Sequence, residues 1–394
     1  MSFRRLLSRT FDVFPPLIAL VAGLLVASLL LIALNANPLE AYQSLWNGAF
    51  GNENATAETL VKAIPMLFVA IGICVAFRGG VVNIGGEGQM IAGAVVGIAT
   101  ALTLGTANAA GWLIITLSLA AGFTAGALYA GIAGVLKAYF NVNEILSTIM
   151  LNQIAVQLMN YLLNGVLLDP SEAGSNHIPK TARIVEWAEL PRLSFTLGDG
   201  IELFARTRLH WGLILALILA LLIYVLLWRT TIGYRIRAVG ANERAARYAG
   251  IRDKRQTVLA MLLAGGCAGL AGVVQVLGLQ YRLQTDGSAA GFTAGAGFNG
   301  IVAALFGGLN PLGAIPASVF FGGLLVGAQK MQRDLGVPAS LITAINGLIV
   351  IFVVSSQIFV TWRAKRRALV PSEPVAPQDR QLERQVEQKP ERQL

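Results

Sequence analysis

"LALILALLIYVLLWRTTIGYRIRAVGANERAARYAGI", residues 215–251, changes from wholly apolar to strongly basic within a few residues, and that change decides the kind of fold. The apolar half extends back to Trp211 and is long enough to cross a bilayer as a helix. The polar half carries five arginines between Arg229 and Arg247, and a further apolar run follows from about residue 257. A basic passage held between two spans is a loop of a membrane protein. It also has internal order. Asn242 is a good helix N-cap, Glu243 is an acid in the first turn, and Gly250 suits a left-handed exit. Glu243 and Arg247 stand four apart, in the favourable order for a helix-surface pair. The implied helix is only about two turns long, too short to be stable alone, with Ala245, Ala246 and Ala249 as a close-packing surface. We expect a pre-formed docking knob for a protein partner. A plain basic loop obeying the positive-inside rule accounts for the arginines but not for the caps and alanines.

Composition agrees with a polytopic, all-α membrane protein. Of 394 residues, 55% are hydrophobic and 13% charged, well below the charged fraction of soluble domains. The net charge of +9 would suggest nucleic acid in a soluble chain. Here the excess sits beside apolar runs, so topology explains it and no nucleic-acid partner is expected. Cys74 and Cys267 both lie inside apolar segments and suggest neither a disulfide framework nor a zinc site.

The pattern predicts ten spans, at about 15–34, 60–77, 82–104, 111–136, 145–168, 211–228, 257–278, 291–309, 311–329 and 340–362. Arg4, Arg5 and Arg9 precede the first and place the N-terminus in the cytoplasm; ten crossings return the C-terminus, with "WRAKRR" at 362–367, to the same side. Residues 229–256 hold eight basic groups against two acidic, a cytoplasmic signature, whereas 169–210 hold five against six and belong outside. Residues 1–365 therefore read as one transmembrane domain, and 366–394 as a disordered cytoplasmic tail. Gly122, Gly126, Ala130 and Gly134, spaced by four, and Gly265 with Gly269 predict close helix approach within the bundle.

Two groups of polar residues fall at membrane depth. "RGGVVNIGGEGQMIAGA", 78–94, is glycine-rich and carries Asn83, Glu87 and Gln89, all costly in lipid. A regular helix starting at Gln89 would be short, with a loop entering the membrane before it. A translocation path is expected here; the alternative is an interfacial Glu87–Arg78 pair. In "NEILSTIMLNQIAVQLMNYLLNG", 143–165, Gln153, Gln157, Tyr161 and Asn164 share a helix face, flanked by Asn152 and Asn160. Neutral amides suit an uncharged solute with several hydrogen-bonding groups, though they also serve as glue between helices.

No G-x-x-x-x-G-K-[ST] occurs, so the chain lacks the usual loop for ATP phosphates, and it is not expected to be an enzyme. The two histidines, His177 and His210, both fall in the outer loop, so no metal site is expected at depth. Acidic and basic relays suited to a proton-driven carrier are scarce. Uphill transport would need energy from another subunit.

The motifs "NIGGEGQ" (83–89), "NEILSTIMLNQIA" (143–155), "TIGYRIRAVGANERAARYAGI" (231–251) and "GFNGIVAALFGGLNPLG" (297–313) occur in an order that resembles permease subunits of bacterial ABC importers. The group handles ribose-type sugars, branched-chain amino acids and nucleosides, and the first and last motifs look most like the nucleoside permeases. The resemblance covers about residues 60–362. It implies a coupling helix through Asn242, Glu243, Arg244, Ala245, Ala246, Arg247 and Gly250 that touches an ATPase subunit. It also implies a substrate path near Asn83, Glu87 and Gln89, to which the polar face adds Asn152, Gln153, Gln157 and Tyr161. Implied partners are an ABC ATPase subunit holding ATP and Mg, a second, non-identical permease and an external solute-binding lipoprotein, in a bacterial cytoplasmic membrane. This chain itself would bind no cofactor.

Overall fold

The computed structural model describes residues 14–33, 36–172, 178–197, 201–204 and 206–336, with single positions at 344, 347, 348 and 351. The helices in chain order are α1 (Phe14–Ala33), α2 (Pro38–Phe50), α3 (Glu53–Arg78), α4 (Gly86–Thr106), α5 (Gly111–Phe140), α6 (Glu144–Leu163) and α7 (Gly212–Arg229). They continue with α8 (Thr231–Ala241), α9 (Glu243–Tyr248), α10 (Asp253–Gln275), α11 (Ala289–Thr293), α12 (Ala296–Phe306) and α13 (Pro311–Leu335). A π-helical turn, Val276–Gln280, extends α10, and a small hairpin pairs β1 (Phe195–Leu197) with β2 (Ile201–Leu203). Side-chain caps set several starts: Asn52 accepts from Ala55 N, Asn143 from Ile145 N, and Asn310 from Leu312 N with Pro311 at the first helical position.

Among the described residues seven helices are long and apolar enough to cross a membrane, or eight if α1 and α2, bent by 117°, form one broken span. The chain is a multi-pass membrane protein. The predicted number of ten is not reached among the described residues, for identifiable reasons. The eighth predicted span, 291–309, is broken: Ala294 at φ +50° and Gly295 at φ +74° part the five residues of α11 from the eleven of α12. Eleven residues span only about 16 Å, half a bilayer. The tenth span, 340–362, and the tail lie outside the described residues. An amphipathic helix at 38–50, α2, was not foreseen.

Helix α3 forms the axis of the bundle. Every residue from Ala63 to Ala76 is buried, and α3 packs against α10, α12, α13, α7 and α2. Beside it, α4, α5 and α10 meet through their small residues. A Cβ on Gly126 would lie 2.3 Å from the Gly265 carbonyl oxygen and 2.7 Å from Gly269 Cα, while one on Gly93 would lie 2.4 Å from Gly269 Cα. No side chain fits at those points, so the glycine register expected for α5 and α10 is an intramolecular seam.

The two ends of the bundle differ. At one, the connection before α7 is tied down: Arg208 makes a two-pronged ion pair with Glu58 (2.8 and 2.7 Å), the Phe204 amide donates to Glu53, and Trp187 donates to the Ala109 carbonyl. At the other lie α8, α9 and the C-terminus of α3.

Candidate functional site

The glycine-rich passage is helical sooner than its composition predicts. Helix α4 begins at Gly86 rather than Gln89, and its 21 residues extend about 31 Å, so no shortened span results. Only residues 79–85 of the passage lie outside a helix. The helix-weakening glycines are used for contact: a Cβ on Gly88 would lie 2.9 Å from Asn152 Cα, and from the other side one on Gly297 of α12 would lie 2.6 Å from the Glu87 nitrogen.

These close approaches assemble a buried polar knot. Asn83 and Gln89 exchange amide hydrogen bonds (Nδ2 to Oε1 3.0 Å, Nε2 to Oδ1 2.8 Å), and Asn83 Oδ1 also accepts from Gly85 N. Asn152 reaches from α6 to accept from Gly88 N at 2.8 Å and to donate to the Ile84 carbonyl at 3.0 Å. It thereby satisfies backbone groups that the irregular turn leaves open. Glu87 does not pair with Arg78. Its Oε1 accepts from Phe298 N, at the start of α12, at 3.2 Å, a position favoured by the helix dipole. Its buried Oε2 has no hydrogen-bond partner among the described residues. The amides satisfy one another and the backbone in this arrangement, and Glu87 Oε2 is the acceptor left over.

The remaining predicted path residues point elsewhere. On α6 the buried positions are Thr148, Asn152, Ala155, Val156, Met159 and Leu163. Gln153, Gln157 and Tyr161 lie on the opposite face, exposed on the surface of this chain, Tyr161 at 73%. Asn164 joins them, while Asn160 turns inward to accept from the Thr285 hydroxyl at 2.6 Å. The polar stripe exists as spaced, but it faces outward.

The basic passage folds into an elbow. Asn242 ends α8 and caps α9, its Oδ1 accepting from Ala245 N at 3.1 Å. Arg247 pairs with Glu243 at 2.9 Å and with Asp253 of α10 at 2.6 Å, and Ala246 is buried beneath. Gly250, at φ +77°, makes the left-handed exit. Those contacts hold a six-residue helix that would not persist alone. Arg244, Ala245 and Ala249 remain exposed, as does Tyr248 at 94%.

The elbow and the polar knot are joined, a connection the separate motifs did not reveal. A Cβ on Gly240, at the end of α8, would lie 2.1 Å from the Arg78 carbonyl oxygen and 2.7 Å from Gly80 N. Gly80, at φ +76°, packs on Gly240 in return, three residues before Asn83. Nearby, the guanidiniums of Arg78 and Arg237 both lie over the Trp228 ring, at 5.5 and 5.8 Å from its centre. Arg78 also donates to the carbonyls of Gly308 and Leu309, both at 3.1 Å, clasping the turn after α12. The sequence signal for Arg78 was a basic residue in the last turn of an apolar helix, which reads equally as topology.

The family model described as branched-chain amino acid transport system / permease component matches residues 55–354. The chain is 35% identical over 365 residues to the guanosine ABC transporter permease protein NupP of Bacillus subtilis (strain 168), covering 92% of this chain and 99% of that one. It is 33% identical over 350 residues to the glucose ABC transporter permease protein TsgB13 of Haloferax volcanii, covering 88% of each. To NupQ, a second guanosine ABC transporter permease protein of the same Bacillus, it is 31% identical over 271 residues, 67% of this chain and 78% of NupQ. No solved structure matches the chain. A family match over most of a helical bundle whose basic elbow packs on the turn leading into its buried polar knot leaves one assignment: the chain belongs to the branched-chain amino acid transport system / permease component family.

Proposed function

We propose that this chain is the membrane subunit of an ATP-binding cassette importer that carries nucleosides into a bacterial cell by alternating access. The elbow 242–250 docks on a separate ATPase subunit, which holds the ATP and Mg; this chain carries no ATPase site of its own. Asn242 caps the coupling helix, Glu243 and Arg247 lock it, Arg244, Ala245 and Ala246 form its docking and packing surfaces, and Gly250 lets the chain leave it. The termini and residues 229–256 face the cytoplasm, and 169–210 face an external solute-binding lipoprotein. A second, related permease completes the path. The existence of NupP and NupQ as distinct permeases in one bacterium favours such a heterodimer. The outward polar side chains Gln153, Gln157 and Tyr161 face that second subunit, because bare amides are costly against lipid.

The observation that carries this reading is the contact of Gly240 with Arg78 and Gly80. A push on α9 travels along α8 into the turn that bears Asn83 and leads into Glu87 and Gln89 at the start of α4. A test is crosslinking from an Ala245→Cys variant in the assembled complex, with guanosine uptake into proteoliposomes measured in parallel. Crosslinks that never reach the ATPase, or uptake that proceeds without ATP, would sink the proposal. The similarity to TsgB13 favours a simple sugar as the second reading; glucose that competes fully with labelled guanosine would favour it.

A further inference from the structure

A cavity of about 230 Å³ opens between α3, the end of α10, the α11–α12 break and α13. It lies toward the hairpin end of the bundle, since Lys62 is within the first ten residues of α3 and Gln332 is near the end of α13. Its size suits a single small solute, just below the roughly 300 Å³ at which drug-sized pockets begin.

Three backbone irregularities converge on this one space. On α3, Pro65 has no N–H, so the Val61 carbonyl one turn earlier lacks its helical donor, and both residues line the cavity. On α10, the change to a π-turn follows Gln275, and Gln275 and Leu279 line the wall. On the third side stand Thr293, Ala294 and Ala296, astride the left-handed break. Irregular backbone at membrane depth persists where protein or a polar cavity receives its open groups.

The side chains agree with that use. Lys62 extends from a membrane-spanning helix and has no ion-pair partner among the described residues. An unpaired cation in such a helix is a functional group by default. Gln329 and Gln332 face it from α13, and Gln275 is steadied by donating to the Phe292 carbonyl at 2.9 Å. Met66, Leu279 and Leu325 supply an apolar wall.

We infer that this cavity is the solute chamber of the importer and takes one neutral nucleoside. Lys62, Gln329 and Gln332 bond its hydroxyls and base edge, and the flat base lies against Met66 and Leu325. A free amino acid fits poorly, because among the described residues no carboxylate lines the space to meet its ammonium. The inference rests on the functional reading above and adds a place to it. Ala296 opens α12, against which Glu87 rests, so motion entering through Gly240 and Gly80 reaches the chamber wall.

The test uses the full complex in proteoliposomes. Ala328→Cys and Gln332→Cys place a thiol on the cavity wall, Leu128→Cys places one on the outer surface, and native Cys74 and Cys267 are fully buried. Guanosine at about ten times its half-saturating concentration should slow maleimide labelling of the two wall variants about tenfold and leave Leu128→Cys unchanged. Lys62→Met should raise the half-saturating guanosine concentration roughly tenfold or more while the ATPase still co-purifies, the effect of losing one charged hydrogen bond. The inference is overturned if the wild-type complex takes up guanosine yet guanosine leaves labelling of both wall variants unaltered, or if neither wall thiol reacts. Unchanged uptake by Lys62→Met together with Gln329→Leu would also overturn it. If the wild-type complex takes up no nucleoside, the functional reading falls instead. Protection by glucose would then retain the chamber with a different solute, and its absence would reject it.

Discussion

Replacing Gly240 with alanine tests whether the elbow drives the polar knot. The new Cβ would stand 2.1 Å from the Arg78 carbonyl oxygen, against an ordinary contact of 3.4 Å, a deficit of 1.3 Å (3.4 − 2.1). Its next neighbour, Gly80 N at 2.7 Å, is also backbone, so no rotamer change relieves the clash. Overpacking costs about 1–3 kcal/mol, and a clash of this depth against backbone on both contacts falls in the upper half of that range, about 2–3 kcal/mol. The better helix propensity of alanine returns at most about 1 kcal/mol. The remaining 1–2 kcal/mol falls on the contact that joins α8 to the turn at Gly80, equivalent to a factor of roughly 5–30 in its equilibrium. Because α9 and its salt bridges are untouched, the ATPase should still bind and hydrolyse ATP. The expected outcome in proteoliposomes is thus a fall of about 5–30-fold in nucleoside accumulated per ATP hydrolysed, with hydrolysis maintained. A Gly240→Ala complex with a wild-type transport ratio would refute the coupling route.

Three further outcomes follow from the geometry. Asn152→Leu leaves Gly88 N and the Ile84 carbonyl unsatisfied in a buried site, so it should destabilise the purified chain by about 2–4 kcal/mol in thermal unfolding, and an unchanged midpoint would contradict the knot's role. Arg247→Met removes pairs on an exposed side chain, so the melting temperature should hold while co-purification of the ATPase is lost; retained assembly would count against docking at α9. His210 is buried and accepts from Gly212 N at 3.1 Å through Nδ1, and burial pushes its pKa down to about 4. Below the ordinary imidazole value of 6.5 the unfolded chain takes up a proton that the folded chain refuses, so stability is full above 6.5 and falls as pH drops toward 4. The gap of about 2.5 units corresponds to roughly 3 kcal/mol, and His210→Gln should flatten the fall in melting temperature over that window.

Features governed by near neighbours along the chain were legible. Asn242 as cap, Gly250 as exit and the Glu243–Arg247 pair all depend on residues within one or two turns, and the structure reproduces each. The glycine seam was legible too, because small residues spaced by four have few uses other than close approach. The α6 stripe shows where such reasoning stops. Spacing places Gln153, Gln157 and Tyr161 on one face, but spacing carries no information on which face meets the bundle; the buried side proved to be that of Asn152. The passage 291–309 was misread because apolar composition is the same in a span and in a half-helix, while the break depends on two left-handed residues. The cavity was invisible for a related reason: Lys62, Gln275 and Gln329 are more than fifty residues apart in sequence at their nearest, and converge only through packing.

By itself, the sequence determined that the chain crosses a membrane many times, that its basic elbow is a short capped helix, and that it resembles ABC importer permeases. Hydropathy, capping and i,i+4 pairing act over a few residues, so they can be read in one dimension. The tertiary structure alone decided that Gly240 rests on Gly80, that Glu87 abuts α12 rather than Arg78, and that three irregular helices enclose one cavity. Those contacts join residues from distant parts of the chain, and their existence depends on which helix faces come together.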